Sequence, residues 1–220
     1  MTFVDEPAAP DTVVLSLPPR WVEVPLTSDG LQDRVRSSVE SLDPALADTI
    51  EFRRLLVLLG RTVDAIDKVG ATMLVAYVDD AANGAEESGA AEEVEDPYLV
   101  SALGWLVTRT AADLRTTAVR LADLTAAAEA SPERPDRRPL EPPRLVDMTR
   151  GQAVREAWLQ RVDGVGLDRP AEVLQCRYTM VIGDGVGMAA LGFSTPNVEL
   201  ADEMVALFGA IAATLDFVTA

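Results

Sequence analysis

Gly183, Gly185 and Gly187, alternating with Asp184 and Val186, come nearest in this 220-residue sequence to a loop that could cradle a phosphate. Such a loop works by aiming backbone N–H groups at the anion from the start of a following helix. Here the next residues, Met188 to Ser194, have the pattern of a strand, so the glycines are read as a hairpin turn. Asp163-Gly164-Val165-Gly166 is read as a second turn of the same kind. The chain has no histidine and a single cysteine, Cys176. That removes the commonest general base and metal ligand, any Cys–His nucleophile, any internal disulfide and every paired-cysteine metal motif. Cys176 falls on the apolar side of an alternating run (Leu174, Cys176, Tyr178, Met180, Ile182), where a thiol is ordinarily inert packing. The segment 79–97 holds eight acidic residues and no basic one, but lacks the order of ligands and turn glycine of a calcium loop. No catalytic residue, cofactor site or metal site is therefore assigned, and the chain is expected not to be an enzyme.

What remains points toward partners. Segment 134–161 carries seven arginines in an otherwise acidic chain. Arg155 and Arg161 share one strand face, with Trp158 on the other, and are the candidate contacts of a recognition strip. A helical stretch with Leu46, Ile50, Leu56, Leu59, Val63 and Ile66 on one stripe also bears Phe52, Leu55 and Leu58 off it, so more than one face is apolar. Leu55 and Leu58 are the candidate apolar contacts. With 19 basic against 36 acidic residues the net charge is −17, which repels nucleic acid at long range and suits solubility or a basic partner. A protein partner is expected; homo-oligomerisation is left open.

The elements that must position these residues are legible from periodicity. Hydrophobic residues are 48% and aromatics only 5%, enough for a core packed mainly by aliphatic side chains. Short strands are expected at 13–17 and 21–26, interrupted by Pro18-Pro19. Leu31, Val35, Val39 and Leu42 begin a helical hairpin that Asp43-Pro44 divides and Val69-Gly70 closes. Strands are expected at 71–78 and 98–108, flanking the acidic segment 79–97, whose composition predicts a mobile loop. A helix over 111–130 packs through Leu114, Ala118, Leu121, Thr125 and Ala128, and 131–143 is read as a proline-rich loop. Four strands follow at 144–148, 153–162, 173–182 and 187–194. Thr195-Pro196-Asn197 then caps a helix with Leu200, Met204, Leu207, Phe208, Ile211 and Leu215 on one stripe. One domain over 1–220 is expected. No basic-then-apolar leader opens the sequence and no run of about 18 apolar residues occurs, so a cytoplasmic protein without membrane insertion is expected.

Two segments carry a family resemblance. Leu15 to Trp21, a strand leading into Pro18-Pro19-Arg20-Trp21, resembles the opening of Mog1/PsbP-like domains. The strand ending Phe193-Ser194-Thr195-Pro196, followed by the helix through Ile211 to Leu215, is similar to the closing elements of the same superfamily, including its actinobacterial members. The resemblance implies an α+β fold, an α/β/α sandwich around a mainly antiparallel sheet, with the helical hairpin as an insertion. It implies non-enzymatic work as an accessory protein, chaperone or adaptor for a secreted or membrane-directed client, and carries over no functional residue. The alternative is a structural or oligomerisation subunit without a separate ligand.

Overall fold

A computed structural model describes residues 12–19, 21–24, 70–80, 99–131, 134–162 and 170–218, with six isolated positions between 33 and 56. The helical hairpin, with Leu55 and Leu58, lies outside the described residues, as does 81–97 of the acidic segment.

The described chain runs β1 (Thr12–Val14), β2 (Trp21–Glu23), β3 (Met73–Asp80), β4 (Leu99–Thr110), α1 (Leu121–Glu129), β5 (Arg137–Pro139), β6 (Arg144–Met148), β7 (Gly151–Val162), β8 (Ala171–Ile182), β9 (Gly187–Thr195), α2 (Ala201–Ala213) and β10 (Asp216–Val218). One sheet takes eight strands in the order β2-β3-β4-β9-β8-β7-β5, with β6 also on β7, and every pairing is antiparallel. The fold is α+β, as the sequence implied. β1 and β10 pair separately, with Thr12 opposite Val218. Arg150 ties this clasp to the main sheet by donating from Nε to Asp216 Oδ1 at 2.5 Å.

Cross-strand register sorts the side chains into two faces. Val75, Gly104, Phe193, Cys176 and Ala157 lie opposite one another in a row on the first face. That face carries the main core under α2, whose Met204, Phe208, Ile211 and Ala212 are buried at three- and four-residue spacing. The rings of Phe208 and Phe193 stack with centroids 4.6 Å apart and planes 5° from parallel. Trp21 meets Phe193 edge-on at 6.0 Å and stacks on Tyr77 at 5.5 Å, so with Phe208 four of the described aromatics gather on this face.

The second face bears the row Leu74, Trp105, Gly192, Arg177 and Glu156. Only glycine fits at 192, because a Cβ there would stand 2.1 Å from Cζ2 of the Trp105 ring. α1 contacts β7 and β8 and borders this face near Glu156 and Trp158. The glycine loop is the expected β8–β9 hairpin turn, with Gly183 and Gly185 at φ of 53° and 93°.

Three expectations change. The helix expected over 111–130 begins only at Leu121. Thr110 N–H donates to the Asp113 carboxylate at 2.9 Å, Asp113 N–H donates to Thr110 Oγ1 at 3.1 Å, and Arg115 turns left-handed at φ 55°. That local turn replaces the first helical turns and leaves Leu114 exposed. Thr195-Pro196-Asn197 does not cap α2, which follows a 3-10 turn at Val198–Leu200. Asn197 is instead buried and accepts from Ser101 N–H at 2.9 Å, fastening the end of β9 to β4. The proline-rich segment 131–143 contains a strand, β5.

Candidate functional site: the cleft between α1 and the β5–β7 edge

The residues of β5 and β6 form one interrupted edge along β7. Arg137 to Pro139 pair with Trp158 to Gln160, and Arg144 to Met148 pair with Gly151 to Arg155. Between them Leu140 still donates its N–H to Ala157 O at 3.0 Å. Pro142 and Pro143 have no N–H to give, so the ladder lapses and the chain bows away from the sheet. The bow leaves a cleft of about 660 Å³ with Glu156, Ala157 and Trp158 of β7 among its lining. Ala128 and Glu129 at the end of α1 line it too, with Pro139 and Leu140 on the β5 side.

Trp158, 9% exposed, organises the charges of this cleft. The Arg137 guanidinium lies 4.6 Å from the indole centroid and that of Arg177 lies 5.9 Å from it. Such cation–π contacts favour the cation most where water is displaced. Arg177 also donates from Nε to Glu156 Oε2 at 2.8 Å, an ion pair in which the carboxylate is nearly buried. Arg137 makes no such pair among the described residues. Burial disfavours its charge first, then Arg134 and Arg177 repel it, while Asp136 and Glu156 oppose that shift.

Glu141 closes one end of the cleft lining. Its carboxylate takes Arg155 on one oxygen and Arg144 on the other, the latter at 3.2 Å. Arg155 therefore does not form the exposed recognition strip expected with Arg161. It is buried opposite Tyr178 on the α2 face, paired with Glu141, whereas Arg161 is exposed. The two stand about 20 Å apart along β7, too far to grip one small group. Glu141→Ala is expected to cost about 2–3 kcal/mol in urea unfolding, because it strands a buried guanidinium. Arg155→Met, which removes the buried charge and keeps the apolar stem, is expected to cost less. The reverse order would contradict this account.

Cys176 lies on the core face, as the alternation indicated. Its thiol is pushed up from the ordinary 9.0 to about 11, mainly by burial, with the Tyr178 hydroxyl and Arg155 pulling the other way. Burial also raises the Tyr178 hydroxyl. The thiol should resist iodoacetamide at pH 8 until denaturant is added. A raised acid keeps its proton in the fold, so its stabilising contribution is complete below pH 9.0 and lost as the pH climbs through about 11. The melting temperature is expected to fall across that window, and less steeply in Cys176→Ala. Equal slopes in the two proteins would refute the assignment.

Among the described residues no group of three or more histidine, cysteine, aspartate or glutamate side chains converges to hold a metal ion. Among them too, no helix is long and apolar enough to cross a membrane. The approach of Arg137 to Trp158 had no sequence signal. The pairing of β5 with β7 had none.

No family model matches the chain, and no curated protein matches it. Among solved structures it is similar to LpqN of Mycobacterium tuberculosis, a protein involved in cell envelope biogenesis. The TM-score is 0.44 and the identity 11%, over 98% of this chain and 87% of that one.

Proposed function

We propose that this chain is a non-enzymatic binding protein of Mog1/PsbP-like type, an accessory or adaptor that holds a client through the β5–β6 edge. The supporting observation is the 46% exposure of Leu145 on β6 and the 41% exposure of Leu140 in the bend that follows β5, both at the outer edge of the sheet. Both β5 and β6 pair with β7 on one side and with no other described strand. An extended segment of the client adds its backbone to that edge, while Leu140 and Leu145 supply apolar contacts. The prolines at 139, 142 and 143 limit pairing to the β6 half, which restrains indiscriminate edge association. The family resemblance supports a secreted or membrane-directed client met in the cytoplasm.

A photo-crosslinking residue at position 145 tests this. A discrete heterologous adduct is expected there, absent when the probe stands at Leu114, which is equally exposed but far along the chain. An adduct of two copies of this chain, with a matching mass by light scattering, would instead establish a homo-oligomer. No adduct specific to 145 would end the proposal.

A further inference from the structure

The cleft behind that edge is lined by three arginines and three glutamates, and its cations are unevenly paired. Each neighbouring cation but two has a matched carboxylate: Arg177 has Glu156, Arg138 has Glu172 at 3.8 Å, and Arg144 and Arg155 share Glu141. Arg134 and Arg137 line the cleft with no carboxylate in salt-bridge range among the described residues. Two guanidinium groups without an ion pair among the described residues thus share one concavity. They repel each other, and an incoming anion relieves both at once, with forked donors suited to a planar oxyanion. Beside them Trp158, Leu140, Pro139 and Ala128 give the lining an apolar part, while Glu129, Glu141 and Glu156 place carboxylates on its walls. Among the described residues Trp158 Nε1 and Arg137 Nε are buried without a hydrogen-bond partner, two polar atoms whose cost the fold carries at this place. A volume of about 660 Å³ is in the range of small-molecule sites.

We infer that the cleft binds a small organic carboxylate, its oxygens between Arg134 and Arg137 and its flat or aliphatic body against Trp158 and Leu140. The site shares Leu140 with the proposed client edge but needs no client on β6. A pocket that were merely apolar would take the neutral isostere as well, and a merely electrostatic one would take inorganic phosphate as well as an organic acid.

Isothermal titration calorimetry on the full chain with naphthalene-2-carboxylate, naphthalene-2-methanol and inorganic phosphate separates these cases. The carboxylate is expected to bind one to one, about tenfold or more tightly than the alcohol or phosphate, as one charge-assisted pair allows. Added potassium chloride should weaken the carboxylate and leave the alcohol unchanged. Arg137→Gln should erase the preference for the carboxylate, and Arg161→Gln, at an exposed position, should keep it. Because Arg137 packs on Trp158, Arg134→Gln serves as a second variant at an exposed position, with thermal melts confirming that each variant folds. Equal binding of the alcohol, undiminished carboxylate binding in both cleft variants, or no saturable heat in the parent chain would overturn the inference. A crosslink at 145 surviving alongside any of those results would leave the client proposal standing.

Discussion

Phe208→Ala is expected to cost about 3–5 kcal/mol, the largest loss from any single truncation considered for this chain. Phe208 is fully buried and stacks on Phe193, itself fully buried at the centre of the sheet. Removing the ring deletes its transfer free energy and leaves a cavity between two layers that close packing holds apart. The neighbours that could collapse into the space, Met204, Ile211 and Tyr178, are committed to contacts of their own. Against a typical total of about 5–15 kcal/mol, such a loss would bring the domain near its unfolding threshold. Urea denaturation followed by circular dichroism measures it. Phe208→Leu, keeping most of the volume, should cost well under half as much; similar costs for both would mean that α2 does not lie on Phe193.

Gly192→Val is the second large effect, expected at about 3 kcal/mol. Position 192 is in the middle of β9, between Trp105 on β4 and Arg177 on β8. Valine favours strands, so local propensity predicts stabilisation. The space argues the other way: even a Cβ would collide with the Trp105 ring at 2.1 Å, and its nearest other ring atoms stand at 2.3 and 2.6 Å. The ring must swing out or the strands must part. Trp105→Ala made together with Gly192→Val should recover part of the loss, because the smaller partner frees the space the methyl groups need. Strict additivity of the two losses would show that the ring does not rest on Gly192.

These two positions also mark where sequence reasoning stops. Phe208 was legible, since Met204, Phe208, Ile211 and Leu215 repeat at helical spacing and all are buried. The need for Gly192 was not, because nothing within Met188 to Ser194 says that a tryptophan from a strand nearly 90 residues earlier lies across it. The helix expected from residue 111 failed for a local reason, the reciprocal Thr110–Asp113 hydrogen bonds, which compete with helical ones and carry a weak signature. β5 was hidden because a three-residue strand among prolines has no periodicity to read.

The candidate site divides in the same way. Sequence alternation placed Arg155 and Arg161 on one face and Trp158 on the other, and the β7–β8 register agrees. Face alone did not decide exposure: Arg155 is buried opposite Tyr178 and held by Glu141, while Arg161 stands exposed near the far end of the strand. Leu55 and Leu58 belong to the undescribed hairpin, whereas Leu140 and Leu145 are exposed at the described edge of the sheet.

The glycine turn at 183–187, the inward thiol, the strand meander and the closing helix were all set by local patterns in the sequence. Local sterics and amphipathicity are sufficient to set such features. The tertiary structure alone decided that β5 and β6 share one edge of β7, that prolines between them open a cleft, and that Arg137 comes to rest on Trp158. Those depend on which distant segments become neighbours and in what register, quantities settled by the free energy of the whole packed chain.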